Sequence, residues 1–137
     1  MLTMNDKPIV YSCSGCSSAA QMANYLALQL DRNGYAEMSC IVGVGGNVKK
    51  LVHTAKSGRK LIAIDGCPLA CSRACLRNHN LSPDLHVQLT DYGIRKKQGV
   101  DYDPLEADQI LEQLQTQLTE SSLINEQSKN TFTFQNN

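Results

Sequence analysis

The sequence predicts an α/β fold: a single layered domain with a small, mainly parallel, four-stranded sheet flanked by helices. Short β-prone runs alternate with segments whose apolar residues recur three and four positions apart. Such alternation implies parallel strands joined by right-handed crossovers. The 137 residues leave room for one core, which 42% apolar and 5% aromatic residues without Trp make largely aliphatic.

Each predicted element follows from a local pattern. The first two helices end at Asn-Gly and Ser-Gly pairs, which favour a left-handed backbone. Pro68 and Pro104 suit a first helical turn, because proline lacks the N–H that a helix interior requires. The predicted order is a strand at 9–12, a helix at 19–33, a strand at 36–42, a glycine turn at 43–46, a helix at 48–55, a strand at 60–64, a helix at 68–78, a strand at 85–89, a polar loop at 91–102 and a helix at 104–120.

The predicted sheet order is 2-1-3-4, within one domain spanning residues 1–120. In that order the first and third strands are neighbours, and the helices that follow them lie on opposite faces of the sheet. A crevice then opens beyond the carboxyl ends of these two strands, where open α/β sheets bind ligands. Residues 121–137 are polar, and we expect them to form a disordered tail.

Charge and hydropathy argue against two classes of partner. Thirteen basic residues balance thirteen acidic ones, which gives no overall electrostatic reason to expect binding to nucleic acid or to an anionic membrane. No apolar run approaches the roughly 20 residues needed to cross a bilayer, and the first residues lack a signal-peptide pattern. We therefore expect a cytoplasmic protein. The sequence does not identify a protein partner or an oligomeric state.

Six cysteines give the main indication of function. They are Cys13, Cys16, Cys40, Cys67, Cys71 and Cys75. In a reducing cytoplasm this density indicates metal binding or redox chemistry rather than a disulfide framework. Five of the six follow the first or third predicted strand, and so fall at the predicted crevice. Cys40 lies in the predicted second strand, where we expect a buried and chemically inert side chain.

The preferred zinc ligands are Cys13, Cys16, Cys67 and Cys71, with Cys75 as a substitute ligand or a neighbouring thiol. Two residues separate Cys13 from Cys16, a spacing that lets one turn aim both sulfurs at the same metal ion. Cys67 and Cys71 are expected to share a helix face, whereas Cys75 lies about 12 Å along the axis from Cys67. Four thiolates form a closed tetrahedral site, so catalysis is not predicted.

Three segments also carry a resemblance to a known family. They are Tyr-Ser-Cys-Ser-Gly-Cys-Ser-Ser at 11–18, Gly-Val-Gly-Gly at 43–46, and Asp-Gly-Cys-Pro at 65–68 with Cys71 and Cys75. With these segments the chain resembles the DGC domain family, named for the Asp-Gly-Cys motif, over about residues 9–105. The resemblance implies a small, mainly prokaryotic, zinc-binding domain to which no reaction is assigned.

Three other interpretations use the same cysteines. Cys13 and Cys16 follow a strand and precede a helix, as the dithiol of thioredoxin-like proteins does, and could form a redox-active disulfide. The four preferred thiolates could instead hold an iron–sulfur cluster. Cys67 and Arg73 have the spacing of the nucleophile loop in tyrosine phosphatases and arsenate reductases. Pro68 removes one N–H donor that such a loop needs.

Three polar features are expected to have no part in the chemistry. The Arg-Lys-Lys run at 95–97 is predicted to be a solvated loop rather than an anion site. Asp65 precedes a glycine and is predicted to form an Asx turn rather than act as a base. His86 alternates with apolar neighbours in the fourth strand and is interpreted as a surface or partly packed residue.

Overall fold

The computed structural model describes residues 7–121, which form an α/β fold around one four-stranded parallel sheet. The strands lie in the order β2-β1-β3-β4, which confirms the predicted order. The strands are β1 (Ile9–Ser12), β2 (Glu37–Met38), β3 (Leu61–Asp65) and β4 (Leu85–Gln88). The helices are α1 (Ser18–Arg32), α2 (Ile41–Gly45), α3 (Lys49–Ala55), α4 (Cys71–Arg77) and α5 (Pro104–Glu120). Leu89–Tyr92 forms a 3₁₀ helix.

The predicted tail, apart from Ser121, lies outside the described residues, as do residues 1–6. Within 7–121, no helix combines the length and the apolar character that crossing a bilayer requires.

Helices cover both faces of the sheet. Side chains alternate along each strand, so Val10 and Ile62 face the core that contains the apolar residues of α1 and α5. Tyr11 and Ala63 face a smaller core, which contains Leu76 of α4. All five residues of β3 are buried, which explains why its sequence is apolar without alternation.

The predicted second strand is wrong at its carboxyl end. The strand stops at Met38, and α2 occupies the position of both the strand end and the predicted glycine turn. The Cys40 side chain is exposed and caps α2, since its Sγ accepts a hydrogen bond of 3.4 Å from the Gly43 N–H. The prediction that Cys40 is buried is therefore also wrong. Gly43 allows this helix to pack, because a Cβ there would lie 1.9 Å from Cδ1 of Leu51.

Helix α4 begins at Cys71, three residues later than its predicted start at Pro68. The intervening residues form a turn that ends at Ala70, whose φ of 49° places it in the left-handed region. Cys67 therefore lies outside the helix, and the expected helix face shared by Cys67 and Cys71 does not form. Cys71 and Cys75 are the pair four residues apart on α4.

The turn after β3 passes very close to the first turn of α1. A Cβ on Gly66 would lie 2.7 Å from the carbonyl carbon of Ala19 and 2.9 Å from its oxygen. Because backbone atoms cannot move aside as a flexible side chain can, any larger residue would force the two segments apart. Gly66 thus fixes the distance between the two loops that carry the cysteines.

We expect Gly66→Ala to lower the free energy of unfolding by about 1–3 kcal/mol, the usual cost of overpacking. The measurement is urea denaturation of reduced protein followed by circular dichroism. Gly45→Ala is the matched control, because its Cβ would meet Sγ of Cys75 at 3.0 Å, which is a side-chain atom. If the two variants are equally stable, the close approach of Gly66 to α1 does not constrain the fold.

Candidate functional site

An open pocket of about 230 Å³ lies at the carboxyl edge of the sheet. Its first two walls are the loops that follow β1 and β3, and its third wall comes from the segment 96–98. Four thiols line this pocket: Cys13, Cys16, Cys67 and Cys71. The fold therefore brings the four preferred ligands to one place, from two loops that are far apart in sequence.

Cys75 has a different environment from the other four predicted ligands. Its half-buried side chain packs with Ile41 and Leu81 against the smaller core, close to Gly45 of α2. Burial is the main cause that raises the pKa of Cys75, and nearby Cys71 contributes to the same shift. Cys75 is not among the residues that line the pocket.

The pocket thiols differ in accessibility. Cys13 is buried, and its Sγ accepts a hydrogen bond of 3.3 Å from the Gly66 N–H. Burial raises the pKa of Cys13 to about 11, against the opposing effect of the hydrogen bond from Gly66. Cys16 and Cys71 are exposed, and Cys67 is half-buried. One thiol is therefore held protonated on the inner side of the pocket, while the other three are open to solvent to different degrees.

The four thiols that line the pocket are suited to a thiophilic metal, since thiolates bind zinc and iron–sulfur clusters. Within residues 7–121, no three Cys, His, Asp or Glu side chains stand close enough together to hold a metal ion in their present positions. Coordination would therefore require the thiols that line the pocket to move closer together. The assignment of zinc and of its ligands stays a prediction.

Asp65 organises the loop that carries Cys67. Its carboxylate is 1% exposed, and its Oδ1 accepts hydrogen bonds of 2.8 Å from both the N–H and the Oγ–H of Ser72. Its Oδ2 accepts from the Arg73 N–H at 3.3 Å and from Nε2 of His86 at 2.8 Å. Asp65 thus caps α4 from the end of β3, which explains why the helix begins at Cys71 and not at Pro68.

His86 joins this network through both of its ring nitrogens. Its Nε2 donates to the carboxylate of Asp65, and its Nδ1 lies 3.5 Å from Nη1 of Arg73. Asp65 and His86 therefore stabilise the loop together. The sequence had predicted an Asx turn for Asp65 and a surface or partly packed position for His86.

This network also bears on the phosphatase-like interpretation. The N–H groups of Ser72 and Arg73 donate to Asp65, and the Arg73 guanidinium faces His86. An oxyanion loop requires such donors to converge next to the nucleophile. Since these donors are directed away from Cys67, the geometry disfavours Cys67 as a phosphatase-type nucleophile.

The segment 95–98, named here the strap, forms a wall of the pocket that the sequence did not indicate. Its backbone is tied to the start of α1, since the Ser18 N–H donates to the Lys97 carbonyl at 2.8 Å and the Lys97 N–H donates to Ser18 Oγ at 3.0 Å. Nζ of Lys96 lies 3.6 Å from Sγ of Cys67. The Cys16 thiol lies 3.7 Å from Oε1 of Gln98. The predicted solvated loop thus contacts both groups of cysteines.

Comparison with known proteins identifies the family. A sequence model of the DGC domain matches residues 9–114. The chain belongs to the DGC domain family. It is also 51% identical over 112 residues to the "Anaerobic and virulence modulator AnvM" of Pseudomonas aeruginosa, covering 82% of this chain and 86% of that protein. No solved structure matches.

The structure gives each residue of the DGC motif a physical role. Asp65 caps α4, Gly66 allows the close approach to Ala19 and donates its N–H to Cys13, and Cys67 places a thiol at the pocket. The motif therefore combines a helix cap, a tight interloop contact and a candidate ligand in three consecutive residues.

We expect Asp65→Asn to lower the free energy of unfolding by about 1–3 kcal/mol, because an amide nitrogen cannot accept the hydrogen bond from Nε2 of His86 or from Arg73. Thermal or urea unfolding of the reduced protein measures the change. Asp101→Asn, at an exposed position, is the control and should stay within about 0.5 kcal/mol of the parent protein. Equal stability of Asp65→Asn and the control would contradict the proposed capping role.

We expect iodoacetamide to alkylate Cys13 about a hundredfold more slowly at pH 8 than a thiol of ordinary pKa, since a pKa of about 11 in place of 9.0 reduces its thiolate fraction by that factor. The rate should continue to rise with pH until about 11, because the folded state retains the thiol proton up to that pH. Site-resolved mass spectrometry of reduced, metal-free protein gives each rate. Exposed Cys40 is the internal reference, and equal rates for Cys13 and Cys40 would contradict the assignment.

Proposed function

We propose that this DGC domain protein binds one zinc ion through Cys13, Cys16, Cys67 and Cys71. The observation that supports this proposal is the convergence of these four thiols on one pocket at the carboxyl edge of the sheet. Four thiolates satisfy the tetrahedral preference of zinc and leave no open position for a substrate. The proposed role is therefore metal binding rather than catalysis.

Binding would couple the metal to the conformation of both loops. Zinc requires deprotonated thiols, so Cys13, with its raised pKa, must release a proton when the metal binds. Zinc affinity should consequently increase with pH. The thiols that line the pocket must move closer together, so the bound metal would tie the loop after β1 to the loop after β3. Loss of zinc would release both loops together.

We infer that this site responds to oxidants or exchanges its metal. Two of the proposed ligands, Cys16 and Cys71, are exposed, and exposed thiols are the ones that oxidise readily. Cys75 stands one turn after Cys71 on α4, outside the pocket, and is proposed as a substitute ligand. The name of the relative AnvM refers to anaerobic conditions and virulence, which is compatible with a thiol site that senses redox state. A reducing cytoplasm is the compartment in which such a site would stay loaded.

A dithiol function of Cys13 and Cys16 is less well supported by the structure. Thioredoxin-like proteins activate the attacking thiol by lowering its pKa. Here the first cysteine of the pair is buried, and burial raises its pKa. Cys16 would have to be the attacking thiol, with Cys13 as the resolving one. An iron–sulfur cluster would use the same four thiols as zinc, and the measurement below separates the two cofactors.

The test is elemental analysis of full-length protein purified without oxygen or added metal, with a thiol count before and after chelation. We expect one zinc per chain and about four thiols unmasked by the chelator. Cys16→Ser and Cys71→Ser should lower zinc affinity by at least about tenfold, whereas Cys40→Ser, which is the matched control, should bind zinc as the parent does. Cys75→Ser should retain the stoichiometry and change the rate of zinc release.

Three results would overturn parts of this proposal. Protein without metal that contains a reducible Cys13–Cys16 disulfide would favour dithiol chemistry. Iron with inorganic sulfide would favour a cluster. Equal zinc affinities for Cys40→Ser and Cys71→Ser would exclude the assigned ligand set.

A further inference from the structure

Lys96 is the cationic side chain among the described residues that line the pocket. Its Nζ lies 3.6 Å from Sγ of Cys67. The anionic group of the lining, Asp65, is buried and accepts hydrogen bonds from Ser72, Arg73 and His86. Lys96 is exposed and has no ion pair with an acidic residue within residues 7–121. Its charge is therefore directed to the thiols and not to a neighbouring carboxylate.

The backbone on both sides of Lys96 is held against the start of α1. Ser18 holds the strap backbone on both sides of Lys96, because it bonds to the carbonyl of Arg95 through its Oγ and to the backbone of Lys97. Consecutive side chains of the strap line two different pockets. Lys96 and Gln98 line the cysteine pocket, whereas Arg95 and Lys97 line a second pocket beside α5.

We propose that Lys96 is the counter-ion of the cysteine pocket and makes this pocket selective for occupants with excess negative charge. This inference deepens the proposed function and rests on it for the identity of the metal complex. Four thiolates around a divalent zinc ion carry an excess of negative charge, and buried Asp65 adds to it. An ammonium group beside Cys67 offsets part of that charge. Lys96 is thus a positioning residue, which acts through Cys67 and binds no metal itself.

The first test needs no metal. Reduced, metal-free, full-length protein is alkylated with iodoacetate, an anion, and with iodoacetamide, a neutral reagent of similar size, and the ratio of the two rates at Cys67 is measured by mass spectrometry. The ratio cancels changes in the intrinsic reactivity of the thiol, so it reports the local electrostatic field. We expect Lys96→Gln to lower the iodoacetate-to-iodoacetamide ratio at Cys67 about threefold at low salt, and the difference to shrink as salt screens the charge.

Two other variants of the strap and the thiol of Cys40 serve as controls. Lys97→Gln removes an equal charge from the adjacent residue, which faces the other pocket, and should leave the ratio at Cys67 near that of the parent. Lys96→Arg should restore the ratio. The ratio at Cys40 serves as an internal reference. An unchanged ratio in Lys96→Gln, or an equal decrease in Lys97→Gln, overturns the proposal.

The second test uses zinc alone as the probe, with affinities measured by competition against a chromophoric chelator. Lys96→Gln should weaken zinc binding about threefold relative to Lys97→Gln. Equal affinities overturn the role of Lys96 toward the metal. If the parent protein binds no zinc, the proposed function fails, and the alkylation ratio decides the assignment of Lys96 independently.

Discussion

The hydrogen bonds of the buried Asp65 carboxylate are the constraint on which the site depends. Asp65 ends a strand that is covered on both faces, so its charge must be satisfied inside the protein. Ser72 and Arg73 supply the donors from the first turn of α4, and His86 supplies another from β4. This arrangement delays the start of α4 and leaves Cys67 on a turn instead of on the helix. The buried carboxylate of Asp65 thereby positions the Cys67 thiol without contacting it.

The pocket combines one protected thiol with three more accessible ones. Gly66 links the two loops, because its lack of a side chain permits the close approach to α1 and its N–H donates to Cys13. The inner thiol therefore keeps its proton, while the Cys16 and Cys71 thiols are exposed to solvent. A reagent that enters this pocket from solvent reaches the exposed thiols before the buried one.

Much of the fold could be predicted because its determinants are local. The apolar spacing in α1, the Asp-Pro start of α5 and the continuous apolar run of β3 each depend on residues adjacent in sequence, and the structure confirms all three. The failures have non-local causes. Residues 36–42 are β-prone, yet the strand stops at Met38, and Cys40 caps a helix in which Leu51 packs over Gly43. Pro68 is suited to a helix start, yet the carboxylate of Asp65 caps a later turn.

The sequence by itself determined the chemistry of the candidate site: thiols in two groups, each following a parallel strand whose carboxyl end lies at the same edge of the sheet. Only the tertiary structure decided which groups surround them. The strap contacts the cysteines through Lys96 and Gln98, because Ser18 holds its backbone at the start of α1. No local pattern encodes that contact, since charge runs on loops are usually solvated. Spacing along the chain specifies candidate ligands, but their burial and charge environment depend on how distant segments pack.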